Sequence, residues 1–154
     1  MTHPESIQVR RALPEDSNTV APLFDAYRVF YGKPSHLEMA REFIRERLER
    51  NESILFIALQ NDGTAVGFTQ LYPSFSSVSA ARIFILNDLY VVPEARRRGV
   101  AAALLSASEA HAREAGAIRL SLSTAIDNEA AQTLYASRGW ERDSRFHSYN
   151  LSIS

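Results

Sequence analysis

The sequence predicts an α/β domain of 154 residues, built on a mixed, largely antiparallel sheet flanked by helices in the order βααβββαβαβ. Three observations carry that prediction. SILFIALQ and TAVGFTQLY read as strands on either side of Asn61-Asp62-Gly63, a good hairpin turn. Leu37, Ala40, Phe43, Ile44 and Leu48 recur at helical spacing. In LNDLYVVPEARRRGVAAALL an apolar strand halts at Pro93, crosses three arginines and one glycine, and opens an alanine- and leucine-rich helix.

The elements follow in order. Ile7 to Leu13 reads as a first strand, and PEDSNTV as a helix entry with acidic residues near its start. Pro22 is tolerated if the regular helix begins near Asn18, because the first turn has no internal N–H bonds to lose. Ser35 and Glu38 match a capping box for the next helix. After the hairpin, YPSFSSVS reads as a connection, and a long strand runs from about Ala81 to Val92. Val100, Ala103, Leu104, Ala107 and Ala110 mark one face of a helix that should stop at Gly116. IRLSLST alternates as a half-buried strand, DNEAAQTLYASRG is a short helix ending at Gly139, and FHSYNLSI closes the chain as a strand.

Composition narrows the function. Apolar residues make up 45% and charged residues 23%, ordinary for a folded soluble domain, and 1–154 reads as one domain without linker or repeat. A formal charge of −1 argues against a nucleic-acid partner, whose binder would be strongly basic. The absence of cysteine removes disulfides, thiol nucleophiles and Cys-type zinc sites. His3, His36, His111 and His147 lack metal-ligand spacing and read as surface or strand residues, so no metal is expected. Ser74, Ser76 and Ser77 lack a Gly-x-Ser-x-Gly elbow, and RERLER reads as a solvated helix face with i,i+4 charge pairs. MTHPESIQVRR lacks the apolar core of a signal peptide and no run is long enough to span a bilayer, so no membrane partner and a cytoplasmic setting are expected.

The strand–turn–helix suits an anion. The first N–H groups of a helix lack partners and its dipole favours negative charge there, while a glycine lets a phosphate approach the backbone. Arg96-Arg97-Arg98-Gly99-Val100-Ala101 supplies such a nest between guanidinium groups. It is neither a P-loop nor a G-x-G-x-x-G turn, and on spacing alone a basic surface turn explains it equally well.

A second segment decides between these. ARRRGVAAALL, preceded by LYVV, resembles the acyl-coenzyme A motif of the GNAT acetyltransferases, Gln/Arg-x-x-Gly-x-Gly/Ala, with Arg96, Gly99 and Ala101 in its defined places. DNEAAQTLYASRGW resembles the later motif of the same superfamily through Asn128, Tyr135, Gly139 and Trp140. The resemblance spans Ile7 to Leu151, and FDAYRVFYG and LYPSFSSVSAARIFILNDLYV look most like its histone- and polyamine-type branch. Arg97 departs from a common glycine, and Ala101 from the more frequent second glycine.

The resemblance implies acetyl-coenzyme A as co-substrate. Leu89, Tyr90 and Val91 would pair their backbone with the pantetheine arm, and Arg97, Arg98, Gly99, Val100, Ala101 and Ala102 would hold the pyrophosphate. Asn128 and Tyr135, seven apart on a helix and so about 10.5 Å apart along its axis, would hold the arm and reach the sulfur. Tyr135 would then donate to a departing thiolate, whose acid has a pKa of about 8.5; alternatively it is a core aromatic.

An acceptor amine arrives protonated, with a pKa of about 10.4, and a carboxylate could take its proton. Asp88 is the candidate, on a strand face with Phe84, Leu86, Tyr90 and Val92; equally, it is an aspartate satisfied by backbone N–H groups at a strand distortion. Asn87 points to the other face as a structural residue. Tyr27, Phe30 and Tyr31 lie where the fold caps the acceptor, with simple core packing favoured for Phe30 over Tyr31.

The leading expectation is therefore an enzyme that moves acetyl from acetyl-coenzyme A to a primary amine, polyamine-like or a protein lysine. Without cysteine the attack is direct, in a ternary complex. The alternative is a non-catalytic acyl-coenzyme A sensor or partner domain. A homodimer through the terminal strands is also consistent with the resemblance.

Overall fold

Three β-rich runs and the short polar strand that pairs with the first of them lay down the sheet. β1 (Gln8–Arg11), β2 (Ile54–Leu59), β3 (Ala65–Ser76) and β4 (Ala81–Val91) pair antiparallel in chain order, and the two-residue β5 (Leu120–Ser121) joins β4 in parallel. The computed structural model describes residues 6–154. These fall into two compact units, the first ending at Leu122 and the second running Ser123–Ser154.

In the first unit the β2–β3 hairpin turns as expected. Gly63 sits at φ +87°, and the Asp62 carboxylate accepts the Thr64 N–H at 2.9 Å. The β3–β4 connection is tighter than expected: Tyr72 to Ser76 continue β3, so only residues 77–80 make the turn. β4 supplies partners along that whole stretch, and a paired backbone overrides the polar composition that suggested a loop.

Helices α1 (Ser17–Phe30) and α2 (Leu37–Glu49) cover one sheet face. Val20, Leu23 and Phe24 meet Ala40, Ile44 and Leu48 over Leu55, Ile57 and Phe68. α1 starts at Ser17 behind a 3-10 turn, Pro14–Asp16, so Pro22 falls inside it, on its exposed side. The expected Ser35–Glu38 capping box does not form. Asp25 accepts the Ser35 hydroxyl at 2.6 Å and the His36 N–H at 2.7 Å, which draws Ser35 away. His36 becomes the N-cap, its Nδ1 accepting from the Met39 N–H at 3.2 Å, while Glu38 pairs with Arg41. The RERLER face is paired as expected, through Arg45 with Glu42 and Glu49 and through Arg47 with Glu46 and Glu52.

α3 (Val100–Glu114) covers the other face, burying Val100 and Leu104 against Ala58, Val66 and Val91. It ends before Gly116, at φ +75°. His111 stands against Phe56 and Phe84 at 5.9 and 5.4 Å, a partly buried helix residue rather than a surface or strand one, and burial lowers its pKa. His147 is exposed, and His3 lies outside the described residues.

β4 carries one residue more than β3 allows. Gln70 pairs with Asp88 but Leu71 pairs with Leu86, so Asn87 is bulged out. The bulge inverts the alternation. Phe84 and Leu86 face α3 together with Leu71, whereas Asp88 and Tyr90 face α1 together with Gln70 and Phe68. The single face expected for Phe84, Leu86, Asp88 and Tyr90 is thus split at Asn87, and Val92 touches both cores.

The second unit holds α4 (Glu129–Ser137), which ends at Gly139 with φ +90°. Residues 141–154 carry no strand, against the expectation for FHSYNLSI. Tyr149, Leu151 and Ile153 alternate but, like Phe146, are exposed; alternation specifies a face, and only a partner ladder makes a strand. β5 is likewise only two residues of the expected IRLSLST.

Gly67 marks how closely α3 lies on β3. A Cβ there would stand 2.9 Å from the Tyr90 carbonyl oxygen, 3.2 Å from Val100 Cγ1 and 3.3 Å from Leu104 Cδ1. Gly67→Ala is expected to lower stability by about 1–3 kcal/mol. Urea denaturation checks this, and an unchanged midpoint would mean that α3 shifts freely.

Candidate functional site

The bulge places a carboxylate where strands rarely put one. Asp88 is 1% exposed, and its two oxygens are held by side-chain amides. Gln70 Nε2 donates to Oδ2 at 2.6 Å and Asn87 Nδ2 to Oδ1 at 2.8 Å. Thr69 donates its hydroxyl to the Asp88 carbonyl at 2.8 Å. Burial raises the Asp88 pKa above the ordinary carboxylate value, and the donors from Asn87, Gln70 and Tyr27 only partly offset it. Asp88 is therefore satisfied at a strand distortion, by side chains rather than by backbone N–H groups. A carboxylate raised in this way accepts a proton more readily than an ordinary one.

An aromatic wall stands above it. The Tyr27 hydroxyl donates to the Asn87 carbonyl at 3.2 Å and lies near enough to Asp88 for each to perturb the other. Burial and the Asp88 charge push the Tyr27 phenol far up, so it stays protonated. Tyr72 is pushed up to about 12 by burial and the same charge. The Tyr27 ring packs edge-on against Tyr31 at 5.0 Å and Phe68 at 5.9 Å, and Tyr31 meets Phe30 at 5.3 Å. Phe30 and Tyr31 are 60% and 58% exposed, so Phe30 is no more a core residue than Tyr31. Their faces are open to a cation.

On its far side β4 is an open edge. Val92 N–H bonds the Val66 carbonyl at 2.9 Å, so by antiparallel alternation Tyr90 turns its peptide groups toward Phe68 while Leu89 and Val91 turn theirs outward. β5 pairs only at Phe84 and Ile85. Of the three residues expected along an extended ligand, Leu89 and Val91 present backbone groups, and Tyr90 contributes its ring to the α1 side.

The edge leads into the arginine turn. Arg97 at φ +66° and Gly99 at φ +79° are both left-handed, which curls the backbone around Arg98 into a nest. The positive φ explains why a glycine would suit position 97. The first helical bond of α3 runs from Ala103 N–H to the Gly99 carbonyl at 3.0 Å, so the N–H groups of Val100, Ala101 and Ala102 have no acceptor within the helix. No side chain caps this end and its first turn has no acid. This backbone fits a pyrophosphate. Arg96 does something else: its Nε donates to the outward Val91 carbonyl at 3.0 Å, and its guanidinium lies 5.8 Å from the Phe30 ring and 5.9 Å from the Tyr90 ring.

Within the second unit, Asn128 is the N-cap of α4 rather than a residue on its face, with its Oδ1 accepting from Ala131 N–H at 3.2 Å. Tyr135 is half-buried, its ring 5.9 Å from Trp140, whose N–H bonds the Tyr135 carbonyl at 3.0 Å. Sequence reasoning missed Gln70 and Thr69. The signal was a polar pair inside the apolar run TAVGFTQLY, where half-burial would call for apolar residues. Among the described residues no three potential metal ligands cluster, and no helix is long and apolar enough to cross a membrane.

Comparison with known proteins bears on this arrangement. The model of the acetyltransferase (GNAT) family matches residues 20–140. The uncharacterized N-acetyltransferase YhfO of Bacillus subtilis is 47% identical over 147 residues, covering 96% of this chain and 98% of that one. An aminoglycoside N(6')-acetyltransferase type 1 of Klebsiella aerogenes is 33% identical over 107 residues, 68% of this chain and 70% of its own. A crystal structure of a probable acetyltransferase superposes with a TM-score of 0.90 at 47% identity, covering 96% of this chain and 98% of the other.

The raised pKa of Asp88 has a thermodynamic consequence. A carboxylate whose folded value lies above its unfolded 3.8 stabilises the fold fully below that value and loses the contribution as pH rises through the folded one. The stability of the wild type relative to Asp88→Asn is therefore expected to be greatest in acid and to fall with rising pH. Paired denaturation series from pH 3 to 8 measure it, and the opposite trend would show that the amides outweigh burial.

Proposed function

The chain belongs to the acetyltransferase (GNAT) family, and on that premise we propose how its residues move an acetyl group from acetyl-coenzyme A to a primary amine. We take residues 1–154 as one catalytic domain, since the family match runs through both compact units. The observation that carries the reading is the outward edge of β4 ending in the uncapped N-terminus of α3.

Leu89 through both peptide groups and Val91 through its N–H bind the amides of the pantetheine arm as an added strand would, the Val91 carbonyl being held by Arg96, and the backbone from Arg97 to Ala102 takes the pyrophosphate. The bulge that precedes this edge turns Asp88 to the other side of β4, toward α1. There Tyr27 and Tyr31 receive the acceptor's cationic group.

The acceptor amine must lose a proton to attack. Asp88, at 1% exposure, takes it by way of the Tyr27 hydroxyl rather than by open contact. One O–H bond forms as one N–H bond breaks, and Tyr27 ends as protonated as it began. As the N–C bond forms and the C–S bond breaks, Tyr135 donates its phenolic proton to the sulfur and regains one from solvent, to which the amide nitrogen sheds its second proton, and the Asn128 amide steadies the arm. Such proton transfers contribute about 100-fold or more each.

The acceptor is a primary ammonium on a mobile stem. Polyamines, lysine side chains and, from the named activity of the Klebsiella aerogenes relative, aminoglycosides all present one.

Calorimetric titration with acetyl-coenzyme A is the first test, with Gly99→Glu as the contrast. Binding is expected in the wild type and lost in the variant, whose carboxylate meets the pyrophosphate at a position that already demands positive φ. Equal binding by both would remove the turn from the site. With an active amine in hand, Tyr135→Phe is expected to lower kcat about 100-fold while leaving coenzyme affinity within a factor of two. Unchanged kcat would take Tyr135 out of the mechanism.

A further inference from the structure

Gln70 is fully buried, yet only half of its amide is used. Nε2 donates to Asp88 Oδ2 at 2.6 Å, while Oε1 is buried without a hydrogen-bond partner. A buried acceptor left idle costs about 1–3 kcal/mol, so its retention beside a buried acid calls for a reason. An amide is a neutral side-chain group that meets both states of a carboxyl: one end donates to a carboxylate, and the other, after half a turn, accepts from a carboxylic acid.

We propose that Gln70 is a positioning residue that holds Asp88 in place through the proton cycle, its amide rotating so that Oε1 receives the Asp88 O–H once the acid has taken the acceptor's proton. The inference rests on the reading of Asp88 as the base. Before transfer, Asp88 is a carboxylate bonded to Gln70 Nε2 and Asn87 Nδ2. After transfer, one Asp88 oxygen carries the proton, the idle Oε1 accepts it, and Nε2 becomes the orphan. The count of buried unsatisfied atoms is the same on both sides, so the proton can come and go without an added penalty.

The register explains why position 70 is suited to this. Gln70 is the last β3 residue paired before the bulge, directly opposite Asp88, and α1 and β4 close over both. The groups that face Asp88 besides the two amides are Tyr27 from α1 and Tyr72 from β3, with Arg47 of α2 acting on Tyr72. None of these offers a neutral acceptor and a neutral donor on one rigid plane.

The test is a carboxyl 13C NMR titration of Asp88 in the full chain, in the wild type and in the near-isosteric Gln70→Met. Methionine removes both the donor to the carboxylate and the acceptor for the acid, so the Asp88 midpoint is expected to stay within about half a pH unit, whereas loss of a donor fixed on the carboxylate would raise it by about one. The limb of the kcat/KM profile that reports the base should coincide with that midpoint, while kcat/KM itself falls about tenfold at unchanged coenzyme affinity because the acid is no longer held. A midpoint raised by a full unit, or an unchanged kcat/KM, overturns the inference and leaves the base reading intact. A limb that does not follow the Asp88 midpoint overturns the base reading, and the inference with it. Should Gln70→Met not fold, the side-chain 15N–1H signals of Gln70 in the wild type serve instead. They are expected to shift at the Asp88 midpoint, and signals flat across it overturn the inference.

Discussion

One surplus residue in β4 organises the proposed site of this chain. Because side chains alternate along a strand, inserting Asn87 into the ladder sends everything beyond it to the opposite face. Before the bulge, Phe84 and Leu86 serve the α3 core; after it, Asp88 and Tyr90 belong to the aromatic wall on α1. Without the extra residue, Asp88 would point into the apolar layer under α3, where no amide waits for it. The acid and its partners therefore share a single cause, and the edge proposed for the coenzyme arm begins just beyond it.

The bulge also reconciles two requirements that pull apart. A proton acceptor has to be raised from its ordinary range, which burial achieves, yet a buried charge needs partners. Two neutral amides meet this better than a cation would, since an arginine or lysine beside Asp88 would lower its pKa and cancel the effect of burial. The cations of the neighbourhood are placed elsewhere: Arg47 pairs with Glu46 and Glu52, and Arg96 lies over Phe30 and Tyr90.

Much of this was legible from residues alone, and the failures share a pattern. The Asn61-Asp62-Gly63 hairpin and the arginine turn are local features, decided by a few neighbouring residues, and the structure has them where expected; the α3 stripe holds only at Val100 and Leu104, with Leu105, Ser108 and Ala112 buried in place of Ala103, Ala107 and Ala110. What a single chain read in one direction does not display is pairing. The bulge exists only in the register between β3 and β4, so the sequence pattern places Asp88 rightly with Tyr90 and wrongly with Phe84 and Leu86. The cap of α2 moved from Ser35 to His36 because Asp25, ten residues earlier in sequence, claims the serine. Gln70 stayed unnoticed because its meaning lies across the sheet.

The Arg96 contact to Val91 has an implication for the chain when it holds no coenzyme. An exposed strand edge with free peptide groups is a template on which any extended segment can polymerise, and cells select against bare ones. On the proposed function the edge has to remain accessible for the arm of a small molecule. The guanidinium bonded to the Val91 carbonyl resolves that conflict. It occupies one acceptor and sets a positive charge beside the edge, which discourages another protein strand from adding. A ligand bearing negative phosphates meets no such deterrent. Solubility and coenzyme access are thus served by the same side chain.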